Sequence, residues 1–241
     1  MTRIFSRRKR PLLEALGQIF IVLSALGAVL HGGGWHPDGL LWVVLTKASA
    51  VTFLALFVAV NIRTFGHALL FLALLASVSG DVLLEIPTDP AGQSFLRGLM
   101  GFMVAHIFYI VLYMTNRQPM GEVRTLPIRL SSLLWLFAFF SGYMLYDGLG
   151  DKRMYVYAYT AVLTAMATSA LLSKFPFRLT GIGAVLFVAS DAAIGAREFM
   201  AAPQYVGIFI WVAYYASQLM MTFGVMLTDD RPTNFGGYRF D

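Results

Sequence analysis

The chain has 241 residues, 58% of them hydrophobic and 13% charged, with a net charge of +5 and no cysteine. That charged fraction is about half that of a soluble domain, which leaves a soluble fold no way to hide the apolar surface and points to an integral membrane protein. The absence of cysteine excludes a disulfide framework, a thiol nucleophile and a thiolate-bound metal.

Prolines mark the edges of the apolar runs, since an internal proline removes a helix hydrogen bond and clashes with the preceding turn. Pro11, Pro37, Pro87, Pro90, Pro119, Pro127, Pro176, Pro203 and Pro232 all lie at or outside such edges. Between them eight spans are expected, near residues 12–31, 39–61, 67–86, 94–115, 126–147, 153–173, 178–200 and 203–227. Each has about the 20 residues needed to cross ~30 Å of hydrocarbon. The basic start SRRKRPLL followed by an apolar run also resembles a secretory or twin-arginine signal. The run is longer than a signal core, however, and lacks a small-residue cleavage site. HGGGWHPDG, between the first two spans, is the plainest loop. The expectation is an all-α polytopic membrane protein, a bundle of eight transmembrane helices in a single domain over residues 1–241 without internal repeats.

Lys and Arg set the orientation, because cytoplasmic loops carry their excess. With the N-terminus inside, thirteen fall on the inner side: Arg3, Arg7, Arg8, Lys9, Arg10, Arg63, Arg117, Arg124, Arg129, Lys174, Arg178, Arg231 and Arg239. Four fall outside: Arg97, Lys152, Arg153 and Arg197. Residues 1–11 then form a basic cytoplasmic N-terminus, 228–241 a short cytoplasmic tail, and the cell (inner) membrane is the expected location. A charge distribution of this kind serves topology and gives no sign of a nucleic-acid partner.

Three charges remain inside spans: Lys47 in the second, Asp81 in the third and Asp191 in the seventh. An Asp or Lys at mid-bilayer costs ~2.5–3.5 kcal/mol on insertion scales, so such residues are expected to pair and to serve function. Counting ~1.5 Å per residue from the outer helix ends puts Asp81 about 8 Å deep, Lys47 about 12 Å and Asp191 about 14 Å. A shared polar cavity is therefore expected. Other polar side chains recur at helical spacing. The third span aligns Ser77, Asp81 and Glu85, and the fourth Phe102, His106, Tyr109 and Tyr113. The sixth aligns Tyr157, Thr160, Thr164 and Thr168, and the eighth Trp211, Tyr214 or Tyr215, Gln218 and Thr222. Glu85 and Asp147 lie close enough to span ends for water to satisfy them, and His31, His36 and His67 fall in loops or at a span edge.

These residues resemble the YhhN family of polytopic membrane proteins, whose characterised members are lysoplasmalogenases. The likeness runs in order through Lys47, then Ser77, Gly80 and Asp81, then Phe102, His106 and Tyr109. It resumes at Gly183, Phe187, Ser190 and Asp191, and again at Tyr214, Tyr215 and Gln218. Ala48 departs from it, standing where the family is associated with proline. The resemblance implies an eight-helix hydrolase that splits the vinyl ether of a single-chain ether lysophospholipid into a fatty aldehyde and a glycerophospho-base.

That reaction suits the residues. Protonation of the vinyl carbon creates an oxocarbenium ion, which water captures as a hemiacetal that collapses to aldehyde and alcohol. One carboxyl must give a proton and another must take one, the division of labour that glycosidases use for a related cation. Asp81 and Asp191 are the expected acid and base pair, with their order open. Lys47 is the charge partner of one of them, and His106, Tyr109, Tyr214, Tyr215 and Gln218 orient the carboxylates, water or glycerol hydroxyls. Ser77, Ser190 and Tyr157 are weaker candidates. No cofactor is expected, and a metal is disfavoured because there is one mid-membrane histidine and Lys47 repels cations. Two readings from other classes also accommodate intramembrane charge: a small proton-coupled transporter, and a lipid-binding protein without catalysis. Head-group preference and oligomeric state leave no mark on the sequence.

Overall fold

The structure, a computed structural model, describes residues 11–88, 93–200, 203 and 205–228. Apart from Pro11 and Thr228, the expected cytoplasmic N-terminus and tail lie outside these residues. In lipid every backbone amide and carbonyl must be satisfied within the protein, which leaves helices as the means of crossing for a chain built of long apolar runs. The helices are α1 Pro11–Gly32, α2 Leu40–Ala59, α3 Phe65–Glu85, α4 Gln93–Thr115, α5 Thr125–Met144, α6 Arg153–Leu171, α7 Ile182–Phe199 and α8 Val206–Met226. With the turns that extend α6 and α7, eight helical segments among the described residues are long and apolar enough to cross a membrane. The protein is an integral membrane protein, as its composition requires.

Helix ends agree with the sequence reading to within a few residues, and the differences have local causes. The fifth span stops at Met144; a single helical turn, Tyr146–Leu149, and a 3-10 turn, Gly150–Lys152, then lead into α6. Gly150 carries φ 48°, a left-handed conformation that glycine adopts without steric cost. The seventh span opens as a π-helical turn, Phe177–Gly181, before the regular α7. At the start of α3, Thr64 accepts from the amide of His67 at 3.3 Å, which satisfies one of the free donors of the first turn.

Neighbouring helices pack antiparallel in sequence order, α1 on α2, α2 on α3, α3 on α4 and α7 on α8. The chain then closes on itself, with α6 against α4 and α7, and α8 against α1, α2 and α3. In α5, Phe139 and Leu136 are 76% and 64% exposed, so this helix leans on α6 and turns its other side to lipid. Near the other end of α4 and α6, short backbone bonds join Gln118 N to Leu172 O at 2.9 Å and Lys174 N to Asn116 O at 2.8 Å.

Small residues set how closely the helices approach, since lipid offers no hydrophobic drive for helices to associate. A Cβ on Gly101 of α4 would stand 2.7 Å from the Gly80 amide nitrogen of α3, so two backbones touch there, one residue before Asp81. Side-chain donors tie other pairs. Ser24 Oγ donates to Ala50 O at 2.6 Å, Trp211 Nε1 to Ala28 O at 2.9 Å and Ser190 Oγ to Ile210 O at 2.9 Å.

Replacing Gly101 by valine must separate α3 from α4, with an expected loss of about 1–3 kcal/mol, the range for overpacked cores. Thermal unfolding in detergent reads this as a lowered midpoint. Gly121→Ala, which has open space around it, should leave the midpoint in place.

Candidate active site

Asp81 and Asp191 reach the same interior region from α3 and α7, and each is held by a tyrosine hydroxyl. Asp81 is 1% exposed; its Oδ2 accepts from Tyr214 of α8 at 2.7 Å. Asp191 Oδ2 accepts from the hydroxyl of Tyr159, on α6. The same hydroxyl lies 3.0 Å from His106 Nε2 on α4, and that nitrogen is 3.9 Å from Asp191. A phenol has one proton to give; with Asp191 taking it, His106 must donate from Nε2 to the phenol oxygen. Three helices, α4, α6 and α7, thus converge on a chain that runs histidine to tyrosine to aspartate.

Lys47 lies between Asp81 and Glu85. Its Nζ is 3.9 Å from Asp81 Oδ1 and 2.7 Å from Glu85 Oε1. Glu85 is therefore more than a solvated residue at a span end. It stands four residues after Asp81, on the same helix face, and the lysine stem spans the distance between them. His31 stands at a span edge, as expected. It occupies the last turn of α1, with its ring edge-on to Trp211 at 4.4 Å between centroids.

An aromatic group divides the two carboxylate arms. Phe187 stands edge-on to His106 at 5.0 Å and to Tyr214 at 5.5 Å between centroids, and Phe102 packs against both Phe187 and Tyr214. Glycine at position 80 makes room for Phe102, whose ring a Cβ there would meet at 2.7 Å. The two carboxyl groups therefore have separate hydrogen-bond partners and separate surroundings, although they share one cavity.

Two cavities meet at this point. A polar one of about 220 Å³ is lined by Lys47, Asp81, Glu85, Asp191, Arg197 and Tyr214, among others. An apolar one of about 320 Å³ runs beneath α5, α6 and α7, with Phe137, Phe140, Val156, Leu163 and Val188 in its wall. Leu84, Phe95, Phe102, Asp191 and Ile194 belong to both. Asp191 is the carboxylate common to the two linings, whereas Asp81 faces the polar side.

The remaining sequence candidates divide clearly. Tyr109 donates to Gln218 Oε1 at 2.7 Å, a fully buried pair on the same faces of α4 and α8 as His106 and Tyr214. Ser190 lines the polar cavity while its hydroxyl bonds to α8. Ser77 bonds to Ala73 O within its own helix, and Tyr215 meets Ser24 of α1 at 3.0 Å. Tyr157 donates to Gly142 O of α5 at 3.0 Å, away from both carboxylates. Tyr159 was not legible as a site residue. It lies two residues from Tyr157 and so points to another face, one otherwise occupied by Leu163, Met166 and Ala170. Among the described residues, no three His, Asp or Glu side chains are grouped as a metal centre would need.

The sequence profile of the YhhN family matches residues 42–225, from α2 to the end of α8 and across Lys47, Asp81, His106, Tyr159, Asp191 and Tyr214. The chain belongs to the YhhN family. Among similar proteins, a "Lysoplasmalogenase" of Mycobacterium bovis is 29% identical, covering 88% of this chain and 94% of the relative. The "Lysoplasmalogenase TMEM86B" of Rattus norvegicus is 30% identical over 86% and 82%, and that of Sus scrofa 28% identical over 79% of each chain. No solved structure matches. In this YhhN protein the residues that carry the family likeness on α2, α3, α4, α7 and α8 surround one region, and α6 adds Tyr159.

Because Tyr159 and Asp191 share one hydrogen bond, their substitutions should not add. Tyr159→Phe and Asp191→Asn, alone and together in a double-mutant cycle, are expected to show a coupling of about 0.5–3 kcal/mol in unfolding free energy. Strict additivity would mean that the bond is not formed in the folded protein.

Proposed function

We propose that this protein is a lysoplasmalogenase that uses Asp81 and Asp191 as its acid and base pair. The observation that carries the reading is the place of Asp191 at the junction of an apolar and a polar cavity. A lysoplasmalogen has its reactive bond at the corresponding junction, where the alkenyl tail meets the glycerol. With the tail in the apolar cavity and the glycerol in the polar one, the vinyl ether lies beside Asp191. The names and coverage of the relatives support the same reaction.

The chemistry then proceeds in three steps. A protonated carboxyl gives its proton to the vinyl carbon remote from oxygen, and the double-bond electrons form the new C–H bond. The adjacent carbon becomes an oxocarbenium ion, stabilised by the negative charge of the other carboxylate. Water adds to that carbon and passes a proton to a carboxylate, which forms the hemiacetal. The hemiacetal hydroxyl loses its proton, the bond to the glycerol oxygen breaks, and that oxygen is protonated as aldehyde departs. Tyr214 and Tyr159 fix the two carboxyl groups in orientation, and His106 holds Tyr159. The Phe102 and Phe187 rings keep the two carboxyl surroundings distinct, which is what two opposite proton-transfer roles require.

Purified protein given a 1-alkenyl lysophospholipid should release fatty aldehyde. Asp81→Asn and Asp191→Asn should each lower kcat by a factor on the order of 10²–10⁴, the usual contribution of a general acid or base. Near-normal turnover by either folded variant would sink the pairing. A transporter or a non-catalytic lipid binder would produce no aldehyde in any variant.

The orientation belongs to the same proposal: both termini in the cytoplasm, the polar cavity opening on the opposite face, and the cell membrane as location. The imbalance of Lys and Arg supports it. The chain has no native cysteine, so single cysteines can report it. In intact cells a membrane-impermeant maleimide should label Asp38→Cys and not Gly121→Cys; the reverse pattern would invert the topology.

A further inference from the structure

The polar cavity holds more charge than two proton-transfer groups need, and most of it is already paired. Glu85 and Asp81 engage Lys47 at 2.7 and 3.9 Å. Glu198, also on the wall, accepts from Lys152 at 3.1 Å. Arg197 is the one other Lys or Arg among the described lining residues, and no carboxylate of the described residues lies within ion-pair distance of it. Its Nη1 rests beside the first turn of α8, 3.6 Å from where a Cβ on Gly207 would stand, and Gly207 is itself part of the cavity wall. A long, rotamer-rich cation held at a cavity wall without a counter-charge is suited to an anion that arrives with the ligand.

We infer that Arg197 anchors the phosphodiester of the lysolipid head group. This rests on the reading of the site given above. Arg197 lies six residues beyond Asp191 on α7, so its Cα is about 9 Å further toward the cavity mouth at 1.5 Å per residue. In the substrate the phosphate likewise lies outward of the vinyl ether, separated from it by the glycerol carbons. Four carboxyl groups, Asp81, Glu85, Asp191 and Glu198, line the same cavity, and those that are ionised repel a phosphate. Lys47 is engaged by Asp81 and Glu85 and offsets only part of that repulsion, which leaves the guanidinium, with its forked donors, to hold the phosphate oxygens. Arg197 is exposed at the rim. The base attached beyond the phosphate therefore extends into water, and Arg197 selects for the phosphate while treating choline and ethanolamine alike.

The test compares full-length wild type, Arg197→Ala and Arg197→Lys on three substrates: 1-alkenyl-glycerophosphocholine, 1-alkenyl-glycerophosphoethanolamine and phosphate-free 1-alkenylglycerol. Arg197→Ala should raise KM for both phospholipids by about tenfold, which corresponds to ~1.4 kcal/mol of binding, and so collapse their advantage over alkenylglycerol. Arg197→Lys should restore most of that advantage. An equal change on alkenylglycerol, no change on any substrate, or an effect confined to kcat would overturn the assignment. Binding of the saturated 1-alkyl analogues, with and without phosphate, separates this inference from the hydrolase reading. If wild type makes no aldehyde from any substrate, the hydrolase reading fails. Arg197 is then judged by whether Arg197→Ala weakens the phosphate-bearing alkyl lipid selectively, or binds it as wild type does and thereby refutes the anchor.

Discussion

A carboxylate buried among apolar helices is stable only with partners at hydrogen-bond distance, and here two tyrosine hydroxyls meet that requirement. Tyr214 holds Asp81 and Tyr159 holds Asp191. Each bond also joins two helices, α8 to the distant α3 and α6 to the α7 that follows it, so the polar contacts that hold the site are tertiary links of the bundle as well. An uncompensated polar group in the interior costs several times the net gain from one satisfied bond. The position of each aspartate is consequently dictated by the helix that carries its tyrosine, and the helices cannot shift without exposing that penalty.

The backbone had to allow this convergence. Gly80 and Gly101 let α3 and α4 meet main chain to main chain directly beside Asp81, and the space above Gly80 is filled by the Phe102 ring. Phe102 in turn faces Phe187 and Tyr214, so a contact set by two glycines reaches the partition between the carboxylate arms through three ring contacts. Close packing and electrostatic separation are here consequences of the same few small residues.

How much of this was legible in the sequence depends on how local each signal is. The spans were legible because length, apolar composition and proline placement are properties of single segments, and α4 at Gln93–Thr115 lies within one residue of its expected bounds. Asp81, Asp191 and Lys47 stood out because a charge in an apolar run is anomalous by itself. Tyr159 did not, because tyrosine in a membrane helix is unremarkable until a second helix brings Asp191 to it. The stripe from Tyr157 through the threonines makes backbone bonds, Thr164 to Thr160 O at 2.7 Å and Tyr157 to Gly142 O of α5, and does not include Tyr159. Glu85 departs from its expected solvation for a related reason. Depth along its own helix suggested water as its partner, whereas Lys47, on a neighbouring helix, is what it meets.

The two cavities differ in what encloses them, and the difference follows from the packing of α5. The polar cavity is walled by α1, α2, α3, α4, α7 and α8, and Lys47 of α2 pairs across it with Asp81 and Glu85 of α3. The apolar cavity has α5 as its outer wall, through Phe137, Phe140 and Met144, and α5 rests on α6 with its far face turned to lipid. An apolar wall of this kind loses little when a hydrocarbon chain replaces protein contacts with equivalent ones, because lipid tail and leucine or phenylalanine side chain are similar solvents for each other. A charged group entering by the same side would meet no such equivalence. In the proposed reaction the tail thus has a low-cost route through the α5 side while the head stays with the charges at the cavity mouth, and the bond between them is brought to Asp191 without either end crossing the environment that opposes it.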